Sequence, residues 1–456
     1  MMHTLLEPEA RAPRGPTQPP RMFAFGDVLA PEASMNTHDA GLSERALSDL
    51  TLKLASTVYD FTTEWAAERL HLPLQFVEEI LTQLGREAML ETLGQVTPFS
   101  HRYAISGRGV ERSRRLMEIC GYIGPAPVSL EAYKAMLTWQ IARFPVVHPR
   151  DAQASLSDLV LEDECKRLSG LALSSGRSLF LHGPAGNGKT SIGRLLHRAL
   201  EGELWIPYAI EVDGNILRVF DTLCHQVADL PQGGAGNVDR RWVRIRRPLI
   251  VAGGELTIDA LDLTYSPTLR YYDVPLHMKA NGGIFLIDDF GRQRVEPREL
   301  LNRWIMPLEY QVDNLSLRTG QQIQVPFLQT VVIATNLDPA DVTDSAFLRR
   351  IGYRVHVDSP TPERYAEIFE SHAARRGLSV PAGLIKRLIA RHDTENRELR
   401  SCDPHDLIDR VVDLCRFKDQ SPELNDETVE VAWTGYFGKI NSRDFPKLRR
   451  LRDERP

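Results

Sequence analysis

Leu179-Phe180-Leu181-His182-Gly183-Pro184-Ala185-Gly186-Asn187-Gly188-Lys189-Thr190-Ser191 decides how this chain folds. Three apolar residues read as the end of a buried strand, and a tight glycine-rich turn follows. Ile192, Leu195, Leu196 and Ala199 then share one face of a predicted helix. Gly183 to Thr190 fits the spacing G-x-x-x-x-G-K-T without a departure. The spacing has a chemical reason. Gly183, Gly186 and Gly188 let backbone N–H groups, with Pro184, Ala185 and Asn187 between them, converge on a phosphate chain. The helix that starts near Ser191 points its positive end at the same place. Lys189 is placed to neutralise the β- and γ-phosphates, and the Thr190 hydroxyl to join a Mg²⁺ shell.

Composition sets the frame for this loop. The chain has 456 residues, 42% hydrophobic and 25% charged, which suits a soluble protein of two or three domains. A net charge of −6 gives no whole-molecule drive towards nucleic acid. The five cysteines, Cys120, Cys165, Cys224, Cys402 and Cys415, form no C-x-x-C pair and carry no metal spacing. Buried thiols in a reducing compartment are expected, with the cytoplasm as the default. No apolar run reaches a membrane-spanning length.

Further along, three segments extend the site. Gly282-Gly283-Ile284-Phe285-Leu286-Ile287-Asp288-Asp289-Phe290 is an apolar run ending in two carboxylates. As a buried parallel strand it is expected beside the strand of the phosphate loop. Asp288 would then hold Mg²⁺ through water, and Asp289 would orient or deprotonate the attacking water. Val331-Val332-Ile333-Ala334-Thr335-Asn336 is another apolar strand, with a polar tip able to reach the γ-phosphate or the water. Asp341 to Arg350 is a helical segment ending in Arg349-Arg350, and Arg354-Val355-His356-Val357 is a fourth strand. An arginine there points away from its own nucleotide and towards a neighbouring subunit's.

In this order, the phosphate loop, the acidic strand end, Ala334-Thr335-Asn336 and Phe347-Leu348-Arg349-Arg350 resemble an AAA+ ATPase over roughly residues 150 to 430. The resemblance implies an α/β P-loop domain with a C-terminal helical lid, ATP and Mg²⁺ as ligands, and ATP hydrolysis to ADP and phosphate. It also implies nucleotides bound between subunits of a ring or helical homo-oligomer, with a hexamer expected. Asn336 matches sensor 1, and Arg349 or Arg350 matches the arginine finger. Residues 156 to 161 would close over the base. The family has glutamate where this chain has Asp289, which implies slower hydrolysis. Sensor 2 falls at Arg400 or His405, with Arg400 the first choice. Leu315 to Val325 alternates around Thr319-Gly320 as a hairpin directly before the Asn336 strand. Such a hairpin is similar to the clade of MoxR-type chaperones, magnesium chelatase subunits and enhancer-binding activators. The Gly-Ala-Phe-Thr-Gly-Ala loop of the activators is missing.

The remaining segments read as appendages. Residues 1–40 are a Pro-rich disordered tail with a docking stretch at Met22-Phe23-Ala24-Phe25. Residues 41–118 are a small, mainly helical domain that resembles a winged helix, its hairpin formed by Met89–Leu93 with Arg102–Ser106. Its third helix carries Glu78, Glu79 and Glu87 against Arg86, a poor surface for phosphates. Its wing collects Arg102, Arg108, Arg112, Arg114 and Arg115. It either docks a protein client or is purely structural, with binding of duplex DNA less favoured. Residues 119–150 are a linker with one helix, 151–360 the nucleotide domain, and 361–456 the lid and a basic tail. Within 232–280, Arg240, Arg241, Arg244, Arg246 and Arg247 precede Tyr265, Tyr271 and Tyr272. They either line a central pore or decorate a solvated insertion. Three uses of the ATP cycle stay open: remodelling of a protein complex, DNA-associated regulation, and a nucleotide-gated scaffold with little turnover.

Overall fold

A computed structural model describes residues 19–26, 28–231, 237–339, 347 and 349–438. The proline-rich start, most of the predicted 341–350 helix and the basic 447–452 tail lie outside the described residues.

Towards the N-terminus, α1 (Glu44–Ala55), β1 (Asp60–Thr62), α2 (Thr63–Leu70), α3 (Leu74–Arg86), β2 (Leu90–Thr97), β3 (Ser100–Ile105) and α4 (Gly107–Ile119) follow one another. β3 lies between β1 and β2, antiparallel to both. Leu47, Leu50, Phe76, Val77, Ile80, Leu81 and Leu84 close one core between the helices and this sheet. The helices start where the sequence caps them: Ser43 Oγ accepts from Ala46 N, Thr62 Oγ1 from Trp65 N and Ser106 Oγ from Gly109 N. Arg108, Arg112, Arg114 and Arg115 lie on α4 rather than on the β2–β3 wing, and Arg112 is paired with Asp49.

A second core departs from the sequence reading. Residues 119–150, expected as a linker, supply the strand Val128–Ser129 and the helix α5 (Leu130–Ile141), whose Tyr133, Met136 and Leu137 are buried. They pack with strands from 203–246 and 272–273 and with the hairpin Val312–Ser316/Gln322–Pro326. Met22–Phe25 and Val28–Pro31, expected in the disordered tail, pair as antiparallel strands on this core, with Phe25 and Ala30 buried and Leu29 O accepting from Trp205 Nε1 at 2.9 Å. The docking stretch therefore docks on its own chain. Three of the five 240–247 arginines, Arg241, Arg244 and Arg247, serve the same core, while Arg240 and Arg246 are exposed. Arg241 is buried, pairs with Asp239 at 2.7 Å and donates to Ala40 O and Ser34 Oγ. Arg244 pairs with Glu203, and Arg247 stacks on Phe144.

The α/β domain is built on one parallel sheet of β4 (Leu179–His182), β5 (Leu249–Ala252), β6 (Ile284–Phe290), β7 (Thr330–Thr335) and β8 (Tyr353–His356), in the spatial order β5-β6-β7-β4-β8. The acidic strand β6 is not beside the loop strand β4; the Asn336-bearing strand β7 runs between them. α6 (Lys189–His197) follows the loop and buries Ile192, Leu195 and Leu196 against the sheet. Gly193 packs so close that an added Cβ would meet Leu286 Cδ1 at 2.9 Å. α7 (Pro297–Tyr310) covers the other face with Leu300, Leu301 and Trp304. The lid is α8 (Pro362–Arg375), α9 (Leu384–Thr394), α10 (Asp403–Phe417) and α11 (Asp426–Phe437), closed around Tyr365, Phe369, Ile408 and Trp433.

Candidate functional site

Parallel strands end together at their C-terminal edge, and in open α/β sheets ligands sit in the crevice outside that edge. Here β4, β6 and β7 deliver His182, Asp288 and Asn336 to it. Gly183 has φ +134, and a Cβ there would lie 2.4 Å from Val357 O, so only glycine lets the turn pass the end of β8. Lys189 Nζ donates to Gly183 O at 2.9 Å and to Pro184 O at 2.7 Å. Burial holds its ammonium below the ordinary lysine value, opposed by the charges of Asp289 and Asp288.

Across the loop, Thr190 Oγ1 donates to Asp288 Oδ1 at 2.6 Å. Asp288 Oδ1 also accepts from Asp289 N at 3.0 Å. Asp289 has φ +47, a left-handed backbone inside a strand, and the β6–β7 register shifts between Ile287 and Phe290. The bulge sends consecutive carboxylates in different directions. Asp288 goes to Thr190, while Asp289 Oδ1 accepts from Asn336 Nδ2 at 3.4 Å. The hydroxyl and carboxylate oxygens of Thr190 and Asp288 are the hard donors Mg²⁺ takes, and their spacing lets both serve one ion's shell.

The described residues enclose a cleft of about 460 Å³ here, lined by Ala185 to Ser191, Asp288, Asp289 and Asn336 on the sheet side. Asp158, Leu159, Val160 and Leu161 form one wall. Ile368, Ser371, His372 and Arg375 of α8, with Ser401, Cys402 and His405 at the start of α10, form the roof. The volume suits a nucleotide-sized ligand.

The chain has an α/β P-loop fold with a helical lid. The observations that decide it are the β5-β6-β7-β4-β8 order and the loop between β4 and α6. A domain of unknown function, DUF8689, matches residues 361–435, the lid. No curated protein matches the chain. Among solved structures, the Thermotoga maritima RuvB Holliday junction branch migration motor is 16% identical, with a TM-score of 0.36 over 62% of this chain and 74% of that one. NtrX from Brucella abortus in complex with ADP is 13% identical, with a TM-score of 0.36 over 70% of this chain and 57% of that one.

Several residues fall elsewhere than expected. Arg400 does not line the cleft. It packs against the loop, where its Cδ lies 3.4 Å from where a Gly186 Cβ would be. Its neighbours do clasp the loop: Ser401 N donates to Asn187 Oδ1 at 3.1 Å, and Cys402 N to Gly186 O at 2.9 Å. His372, Arg375 and His405 are the lid's cleft-facing basic residues, and the sequence drew no attention to Arg375 because an arginine at the end of a helix is ordinary. Arg349 and Arg350 are also outside the cleft. Arg350 Nε pairs with Glu309 Oε2 at 2.7 Å on α7, and Arg349 is exposed.

Proposed function

We propose that the chain binds ATP with Mg²⁺ and hydrolyses it to ADP and phosphate within homo-oligomers, using the cycle to remodel a protein complex. One observation carries the reading: Thr190 and Asp288 meet at 2.6 Å over Lys189, with Asp289 and Asn336 paired beside them. The loop amides and Lys189 bind the β- and γ-phosphates. Thr190 and Asp288 hold the ion, which when bound offsets charge on the phosphate oxygens. Asp289, steadied by Asn336, orients the attacking water and takes its proton. In this AAA+-like reading, Arg349 or Arg350 reaches the nucleotide of an adjacent subunit, as the sequence pattern implies and as their position outside their own cleft allows.

A protein client is favoured over duplex DNA because Glu79 on α3 and Glu87 at its C-terminal end are exposed, while Glu78 is engaged by Thr63, His101 and Tyr103. Acidic faces repel phosphates. The winged-helix-like module also abuts the second core: Gly121 N donates to Leu269 O, and Arg270 Nη1 to Met117 O. The test is Lys189→Ala. It should lose ATP binding in equilibrium titration and phosphate release together; normal ATP binding by this variant would overturn the reading.

A further inference from the structure

Outside the phosphate site, one group of side chains among the described residues has the make-up and spacing of a transition-metal site. His372 lies in the third turn of α8. His405 lies in the first turn of α10, and Asp409 is one turn further on the same face. His372 Nε2 is 3.3 Å from Asp409 Oδ1, and His405 Nε2 is 3.5 Å from Asp409 Oδ2. The two imidazole centroids are 4.4 Å apart. One donor atom from each residue lies within 4.8 Å of the others.

We propose that His372, His405 and Asp409 bind a divalent transition-metal ion of the Zn²⁺ class, linking the first and third helices of the lid. A tetrahedral ion with bonds of about 2.0–2.2 Å sets its ligands roughly 3.3 Å apart; the two histidine–carboxylate distances are 3.3 and 3.5 Å, and the three donors all lie within 4.8 Å of one another. Two nitrogens and one carboxylate oxygen suit a borderline ion and not Mg²⁺, which takes oxygen donors.

The surroundings orient the set. His405 Nδ1 lies 3.4 Å from Asp406 Oδ1, so an Nδ1–H held there leaves Nε2 as the lone-pair donor. Arg376 Nη2 lies 2.7 Å from Asp409 Oδ1, which fixes the carboxylate and leaves Oδ2 turned to His405. His372 and His405 converge on one carboxylate, which a dication would join to both rings. His372 and His405 both line the nucleotide cleft, so the fourth position opens on the cleft and is filled by water or by a ligand atom there. Metal binding at this site does not depend on ATP hydrolysis.

The experiment uses the full chain, stripped with a chelator and free of nucleotide, with excess Mg²⁺ present. Zn²⁺ is titrated against a chromophoric chelator, and Co²⁺ uptake is followed by its visible absorption. One Zn²⁺ per chain is expected, with the intense visible bands of tetrahedral Co²⁺. His372→Ala, His405→Ala and Asp409→Asn should each weaken Zn²⁺ binding by more than about 100-fold, and Asp406→Asn by about 10–100-fold. His405→Cys should restore binding, which separates a lost ligand from a lost fold. No Zn²⁺ uptake by the unaltered chain, or undiminished uptake by the His372→Ala/His405→Ala double variant, overturns the proposal.

Discussion

Asp289 concentrates the chemistry of the site in one backbone angle. A non-glycine residue at φ +47 costs on the order of 1 kcal/mol, and the bulge around it keeps it there. The return is a carboxylate turned away from Asp288 and onto Asn336. Asparagine tolerates the left-handed region as well as aspartate does. Asp289→Asn is therefore expected to keep fold and ATP affinity while phosphate release falls by about 10²–10⁴-fold, the usual contribution of a positioned base. Equal release from both proteins would remove Asp289 from the mechanism. Gly186 is the second such position. Its φ is +84, and a Cβ would lie 2.7 Å from Cys402 Sγ. Gly186→Ala should weaken ATP binding by at least about tenfold, since about 1–2 kcal/mol of backbone strain comes with displacement of the lid residues that clasp the loop. A titration with a fluorescent ATP analogue checks it.

At the scale of elements, the lid depends on a histidine that stays neutral. His392 of α9 is fully buried against Trp433, Phe437 and Tyr365. Burial, aided by Arg397, pushes its pKa down to about 4. The sign follows directly. Above the unfolded value of about 6.5 both states are neutral and His392 carries no penalty. As pH falls towards 4, the unfolded chain takes up a proton that the folded lid refuses, so stability drops. Lid stability should therefore fall between about pH 6.5 and 4, by roughly 3 kcal/mol from this group. His392→Leu should flatten that part of the profile in denaturant melts at successive pH values. Asp403, whose carboxyl pKa is raised by burial, lies 3.9 Å from His392 Nε2, so the difference between the two profiles reports on this buried pair. An unchanged slope would mean that another group governs acid unfolding of the lid.

Elements also explain what was legible. The loop, β6 and β7 announced themselves because each is an apolar run with a chemical tip, and the lid helices because Pro362 and Pro404 stand in their first turns. β5, Leu249–Ala252, was hidden: its four residues follow Arg246, Arg247 and Pro248 and precede two glycines, inside what reads as an insertion. The second core was hidden for a related reason. Its strands are two to five residues long and come from segments as far apart as 128 and 326, so no local periodicity marks them. The clustered arginines at 240–247 misled because burial of a guanidinium needs its partner, and Arg241 finds one in Asp239, two residues earlier.

For the whole molecule, the question is whether one chain can complete its own site. The cleft's described lining includes Lys189, His372, Arg375 and His405 as its basic side chains, and neither Arg349 nor Arg350 is among it. Arg350 is held by Glu309, whereas Arg349 is exposed beside the same helix. Arg349 is thus the better placed to reach a neighbour. If the site is shared between subunits, Arg349→Ala should leave ATP affinity nearly unchanged and lower phosphate release by about 10³-fold or more, the scale of an arginine finger. Mixing makes the test specific. Lys189→Ala keeps the arginine and loses the loop; Arg349→Ala keeps the loop and loses the arginine. Each alone is expected to be inactive. Co-assembled, they form some interfaces in which an intact loop faces an intact arginine, and activity should return as a fraction of those interfaces. An arginine acting on its own chain's nucleotide leaves every mixed interface dead. Phosphate release measured across mixing ratios distinguishes the two, and a mixture as inactive as its components would sink the shared site.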